Sequence, residues 1–379
     1  MSKSIDYNYK SIVRIPARAL KPKKIFLGSF FILIALAFHD ICAYLAFAAE
    51  GMDLSLAFAD YGFFPLRLFA FDSSLASFLY YCLGFVLSGL TLMTGLTAIA
   101  IIDIEEVRGN PFMSFAKALK YSLSKIKQLL LSELAIAVFV AFIVILFLIL
   151  GLITRIPYLG EFIYSVFFFF PGFIVAILTA IVILAGILSI LIIPAATALD
   201  RNSETFNSLL ELFLTITRQP IRWILFTAYS LIAAKICSFI YAYFAFRSVQ
   251  LLKFGASLGG GEKIGDTIAS GMNHLPWEGE LVKFITNIFP GVDFAFDVSC
   301  LAVGAPGNPS GYLMAISLFL VFLTVSGYLF SIVATGQAYS LIVLKYIRDE
   351  HKVGAEKPLF FEDQPVNPAI DNSTNEMNK

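Results

Sequence analysis

Hydrophobic positions gather in six long runs separated by polar segments: Ile25 to Ala49, Leu75 to Ile102, Leu129 to Ile153, Phe173 to Leu199, Ile221 to Phe246 and Tyr312 to Leu344. Each reaches or exceeds the roughly 20 apolar residues that a helix needs to cross a bilayer, so the pattern predicts six transmembrane helices. Between the runs the pattern changes to that of amphipathic helices lying on a surface. After Asn110-Pro111, a cap and first-turn pair, Phe112, Phe115, Leu119, Leu123 and Ile126 recur at steps of three or four, opposite Lys117, Lys120, Ser124 and Lys127. After Asp200, Phe206, Leu209, Phe213 and Ile216 do the same and end at Arg218-Gln219. These two surface helices are placed near 111–128 and 203–219.

An offset of 91 residues aligns Phe115 with Phe206, Leu119 with Leu210, Leu123 with Leu214 and Lys127-Gln128 with Arg218-Gln219. Each surface helix follows one span and precedes another, which predicts a degenerate repeat in parallel orientation. The segment 248–311 is read as an outer cap. It holds Gly259-Gly260-Gly261, amphipathic stretches around Ile264 to Leu275 and Leu281 to Phe289, and acidic Glu262, Asp266, Glu278, Glu280, Asp293 and Asp297. Residues 1–24 read as a basic tail and 348–379 as a polar one; from Gly354 on, Pro, Asn, Asp and Glu predict disorder. Residues 25–347 form the membrane domain.

Composition agrees with the pattern: 59% of the 379 residues are hydrophobic and only 14% charged, against about half and a quarter in soluble domains. Lys and Arg number 27, as do Asp and Glu, so net charge offers no case for nucleic acid. Its distribution is informative. Lys3, Lys10, Arg14, Arg18, Lys21, Lys23 and Lys24 precede the first span, basic residues crowd both surface helices, and Lys345, Arg348, Lys352 and Lys357 follow the last span. The first and third segments between spans carry only Arg67 and Arg155, so the positive-inside bias of the short loops puts both termini in the cytoplasm. Ala46-Phe47-Ala48 has the look of a signal-peptidase site, but the run before it exceeds the about 7 to 15 residues of a signal core and contains Asp40.

Ionisable residues within spans are expensive and default to a functional reading. His39 and Asp40 on the first span and Lys235 on the fifth form the candidate intramembrane site. Counted at 1.5 Å per residue, Asp40 lies about 22 Å and Lys235 about 21 Å from the cytoplasmic starts of their spans. Small residues flank both: Ala35, His39, Cys42, Ala46 and Ala49 on one helix, Ala228, Lys235, Ser238, Ala242 and Ala245 on the other. A structural ion pair and a substrate or proton site are both open. Glu133, about 6 Å into the third span, can snorkel or meet the nearby lysines. Lys117, Lys120, Lys127 and Arg218 are the expected contacts to anionic lipid headgroups, with a plain linker helix as the other reading. Gly84, Ser88, Thr91 and Gly95, and Gly172, Ala176 and Ala180, follow the small-residue rule for close helix approach. Pro171-Gly172 is expected to divide a short outer-leaflet helix from the fourth span.

Catalytic signatures are missing. Three histidines, His39, His274 and His351, allow no HExxH; Glu262-Lys263-Ile264 fails the ending of a phosphate loop; no GxSxG occurs. His39, Cys42 and Cys237 come from two helices without a ligand motif, and Cys42, Cys82, Cys237 and Cys300 form no disulfide framework. No cofactor and no metal are expected.

The basic start, the spans separated by basic surface helices at Asn110 to Gln128 and Asn202 to Gln219, and the ending Ala338-Tyr339-Ser340-Leu341-Ile342-Val343-Leu344-Lys345-Tyr346-Ile347-Arg348-Asp349 resemble the bacterial membrane-domain proteins typified by the glycerophosphoryl diester phosphodiesterase membrane domain. The resemblance covers most of the chain. It implies a bacterial inner-membrane protein, without the soluble hydrolytic barrel that acts in enzymes of that family and without catalytic residues to carry over. The expectation is a nonenzymatic scaffold or assembly factor for lipid- or envelope-related machinery. Its partners would be membrane lipids, with a protein partner or homo-oligomer and no nucleic acid. A transporter using Asp40 and Lys235 and a lipid-modifying enzyme are the alternatives.

Overall fold

The computed structural model describes residues 7–66, 74–201, 204–275, 287–288 and 309–360. Among them the chain is all α-helical: α1 (Tyr9–Val13), α2 (Ile15–Ala19), α3 (Pro22–Ala49), α4 (Leu54–Tyr61), α5 (Leu75–Val107), α6 (Phe115–Ser124), α7 (Ile126–Ile153), α8 (Leu159–Phe167), α9 (Phe173–Leu199), α10 (Thr205–Arg218), α11 (Pro220–Gly260), α12 (Glu262–Asn273) and α13 (Pro309–Asp349). Six of these, α3, α5, α7, α9, α11 and α13, are long and apolar enough to cross a membrane, and they coincide with the six apolar runs.

Helix ends follow local chemistry. Pro22 and Pro220 open α3 and α11, where a missing N–H costs nothing. Ser74 and Ser114 cap α5 and α6 through their hydroxyls. The cap of α6 is therefore not Asn110, which lies in the preceding turn with its amide on the Glu105 carbonyl. Gly261, at φ 60°, stops α11 as only a residue without Cβ does easily. The three-glycine run is thus a helix terminator, and α11 extends through residues expected to begin the outer cap. Beyond it α12 turns back and packs Gly271 on Met314 and Ala315 of α13. The remaining cap, including the stretch 281–289 except for 287–288, lies outside the described residues, as do Arg67 and Cys300.

α13 is the hub. Ser331 to Leu344 are buried on every side of the helix, enclosed by α2, α3, α5, α9 and α11. Small residues permit the close approach: a Cβ on Gly28 of α3 would lie 2.7 Å from the Gly327 carbonyl oxygen. On α5, Gly84 sits against Cys42, Gly95 against Phe31, and Ser88 donates to the Ala35 carbonyl, as the small-residue pattern predicts. Just before α9, Gly172 meets Phe167, while Ala176 and Ala180 on α9 are exposed. Pro171 sits in a five-residue π-helical segment joining α8 to α9.

Burial is concentrated at the end of the bundle that carries both termini: Met93 to Glu105 of α5, Ile192 to Leu199 of α9 and the second half of α13. Toward the other end, α7, α8 and the first half of α9 turn large apolar side chains away from the protein, Phe139, Leu148, Phe162 and Phe173 among them. Such faces suit hydrocarbon.

Two expectations about the termini are corrected. Residues 9–19 are not a free tail: Ile12, Ile15 and Ala19 share one face, are buried, and seat α1 and α2 against α13 and α11. At the other terminus α13 runs to Asp349, and residues 350–360 fold back over the same end with Val353 fully buried. Residues 361–379 lie outside the described residues.

The surface helices α6 and α10 occupy equivalent places, each following a helix that ends in the buried region. Their buried positions, Ala118, Ser122 and Lys125 against Ser208, Leu212 and Thr215, match at an offset of 90 residues rather than 91. The apolar pattern tracked Phe115 and Phe206, which are exposed. The face turned inward is the small and polar one.

Candidate functional site

Where α2, α3, α5 and α13 cross, Lys24 and Asp103 are buried completely and paired at 2.5 Å. The ammonium has three protons, and three acceptors surround it: Asp103 Oδ1, the Arg18 carbonyl at 3.0 Å and Thr335 Oγ1 at 3.3 Å. Thr335 in turn donates to Asp103 Oδ2 at 2.9 Å. The ring of bonds is closed, which is the condition under which a buried pair holds its charges. Around it, Arg18 lies over the Tyr339 ring at 4.1 Å. Tyr328 and Ser331 donate to the Pro16 and Ala19 carbonyls, and Tyr229 to that of Val13. Side chains of α11 and α13 thereby satisfy carbonyls that short helices leave open.

A second ionic cluster closes the terminal end. Arg108 bonds Glu105 at 3.2 Å, the Leu199 carbonyl at 3.4 Å and Glu356 Oε2 at 2.7 and 3.0 Å. Arg201 joins the same Glu356 oxygen at 3.1 Å, and His351 the other at 2.6 Å. Glu105 accepts from the Leu359 and Phe360 amides, and the Gly354 amide donates to Tyr7. Burial pushes the Glu356 carboxyl up, but the His351 bond and the Arg108 and Arg201 guanidiniums outweigh it and hold it below the ordinary glutamate value. Nearby, Gln128 of α7 donates to Asp200, to the Glu204 carbonyl and to Ser208. Burial pulls the Lys125 ammonium down against the opposing effect of Asp200, and burial pushes the Tyr121 phenol up.

The proposed intramembrane trio is not brought together. Asp40 accepts the Phe64 amide at 2.9 Å, His39 Nε2 bonds the Pro65 carbonyl at 3.0 Å, and Tyr44 donates to the Gly62 carbonyl at 2.5 Å. These three α3 side chains clamp residues 62–65, the irregular segment after α4, where Phe64 has φ 61°. Lys235 is exposed on α11 and forms no pair with Asp40. Nor are the two level. Ser230 lies against Gly336 and Tyr241 against Tyr328, so Lys235 sits beside the stretch of α13 between those residues. Phe64, held by Asp40, stacks on Phe319. Their separation along α13 is at least nine residues, on the order of 13 Å. Counting from helix starts failed because α11 begins farther out than α3.

Lys120, Lys127 and Arg218 are exposed and Lys117 half-buried, beside exposed Phe112, Phe115 and Leu123. Glu133 turns from the lysines to Ser189 of α9. The sequence reading missed Lys24, Asp103, Glu105 and Thr335. A signal was present: Asp103, Glu105 and Glu106 end a span on the side where the amino-terminal lysines begin one.

Six helices long and apolar enough to cross a membrane, α13 among them, define a polytopic, all-α membrane protein among the described residues. No protein-family model, curated relative or solved structure matches the chain.

Proposed function

We propose that the chain is a nonenzymatic scaffold of the bacterial inner membrane, with both termini in the cytoplasm, that holds lipid- or envelope-related machinery through its terminal end. The observation that carries the reading is the closed bonding of that end. Lys24, Asp103, Glu105, Arg108, Arg201, His351 and Glu356 are engaged with one another, so the buried charges serve to fix one arrangement of helices. Around this rigid end, Lys120, Lys127 and Arg218 with exposed Phe112 and Phe115 have the chemistry for anionic headgroups and the acyl boundary. The resemblance to glycerophosphoryl diester phosphodiesterase membrane domains supports a lipid setting. The transport alternative loses the Asp40–Lys235 pair on which it stood.

The test is extraction into native nanodiscs followed by quantitative identification of bound protein and small molecules. A scaffold brings down a stoichiometric protein, lost when Lys120, Lys127 and Arg218 are changed together to glutamate. A stoichiometric small solute instead, released by Asp40→Asn, refutes the reading. Orientation is tested by an impermeant thiol reagent on intact cells: Cys300 reacts, and a cysteine placed at Lys120 reacts only after lysis.

A further inference from the structure

Glu133 lies within α7, five residues beyond Gln128, which marks the polar end of that helix. Its carboxyl is half-buried, and its hydrogen-bond partner is the fully buried Ser189 of α9. The Ser189 oxygen is 2.7 Å from Oε1, 2.8 Å from Oε2 and 2.5 Å from the Gly186 carbonyl oxygen. All three neighbours are acceptors if the carboxyl is ionised, yet a serine hydroxyl has one hydrogen to give. Only a proton on Glu133 completes the set: the carboxylic acid donates to Ser189 Oγ, and Ser189 donates to the Gly186 carbonyl.

The surroundings offer no counter-charge. α9 has no ionisable residue along its length, and on α7 the other charge is Lys127, exposed at the polar end. On the other elements packed against α7, Asp103, Glu105 and Glu106 of α5 are bonded to Lys24, Arg108 and Lys21. Glu211 of α10 is bonded to Arg348, and Arg218 is exposed at the helix end. Lys117 and Lys120 of α6 and Glu161 of α8 complete the charged groups on those elements, and Lys125 caps the start of α7. Among the described residues none forms an ion pair with Glu133. An ionised carboxylate here would lie at the edge of hydrocarbon with one shared hydroxyl, whereas a buried charge persists only when paired and bonded.

We propose that Glu133 is a proton-binding site inside the membrane: a carboxylic acid that keeps its proton at neutral pH and bridges α7 to α9 through Ser189. Half-buried on the lipid side, it is open to apolar carbodiimides. The chemistry needs the proton. The acid O–H adds across one C=N bond, the carboxyl oxygen bonding to the central carbon and the hydrogen passing to nitrogen. The acyl group then migrates to nitrogen, leaving an N-acylurea with nothing expelled.

The full chain, in lipid nanodiscs at neutral pH, is treated with N,N′-dicyclohexylcarbodiimide and its peptides are read by mass spectrometry. The expected result is a whole-reagent adduct on Glu133, falling about tenfold per pH unit above the midpoint. Infrared spectra give the second readout: a carboxylic-acid carbonyl band at neutral pH that disappears in Glu133→Gln. No adduct on Glu133 while the reagent modifies other carboxyls, or a spectrum unchanged in Glu133→Gln, overturns the proposal. Modification of Glu133 by a water-soluble carbodiimide with the same pH profile as exposed Glu350 overturns it too, since the site would then be wet and ordinary.

Discussion

Breaking the Lys24–Asp103 pair is the sharpest test of how the bundle is held. Both side chains are fully buried, and the ammonium's three protons are met by Asp103, Thr335 and the Arg18 carbonyl. Asp103→Leu strands the ammonium with two neutral acceptors. Lys24→Met strands the carboxylate with one hydroxyl. Loss of one partner of a buried pair costs about 3 to 5 kcal/mol, most of it the cost of the charge left behind. The double variant removes both charges and leaves only the Thr335 hydroxyl and the Arg18 carbonyl short of a partner, so it should be less destabilised than either single variant. Reversible unfolding in mixed micelles, run as a double-mutant cycle, measures the coupling. Losses that add would refute the reasoning, because they would mean that neither charge depends on the other.

Gly28→Ala should cost about 1 to 3 kcal/mol, because the new methyl meets the Gly327 carbonyl at 2.7 Å. Gly255→Ala on α11, with open space around it, should gain roughly 0.5 to 1 kcal/mol; equal effects of the two in the same unfolding assay would discount the close approach. Asp40→Leu removes the acceptor of the Phe64 amide at a cost of about 1 to 3 kcal/mol and should speed hydrogen exchange at residues 62–66. Asp40→Asn and Lys235→Met should leave that exchange unchanged; a response to Lys235→Met would restore the link between them. Glu356 is held below its ordinary value in the folded chain, so its contribution is complete above the unfolded glutamate value of about 4.3 and is lost as pH falls through the folded one. Protection of the amides of residues 353–360, corrected for intrinsic exchange, should therefore fall on acidification in that window, and a fall on the alkaline side instead would show that another group holds the fold-back.

The six spans were legible because a helix in lipid must satisfy its own backbone and expose apolar side chains. That constraint acts on every residue of Leu129 to Ile153 and Phe173 to Leu199, and their ends were found within a few residues. The apolar faces of α6 and α10 read as turned to the acyl boundary or packed beneath the bundle, and Phe112, Phe115 and Phe206 are exposed. Which residues would instead face the protein was not legible, because in a membrane protein lipid competes with the core for apolar surface. The protein side took Ala118, Ser122, Ser208, Leu212 and Thr215, mostly small side chains, of which Ser208 bonds Gln128 and Thr197. The same competition hid α1 and α2: Ile12, Ile15 and Ala19 are too few to announce a buried helix pair, and their burial depends on a groove built by residues some three hundred positions later.

Charge pairing failed in sequence for a reason the helices themselves explain. Asp40 and Lys235 were matched by counting from where apolar runs begin, which assumes that every helix starts at one level. Gly28, near the start of α3, meets Gly327, whereas Ser230, farther from the start of α11, meets Gly336, so the starts are staggered and the count misplaces Lys235 toward Asp40. Lys24 and Asp103 sit at the true shared boundary, where one helix enters the bundle as another leaves it. A charge at the last turn of an apolar run looks like loop in sequence, yet in an antiparallel pair of helices that turn faces the first turn of its neighbour. Asp103 therefore meets Lys24 for the same reason that Gly95 meets Phe31 and Ser88 meets Ala35: position sums along α3 and α5 are nearly constant, and register, rather than depth counted from an end, decides which intramembrane charges touch.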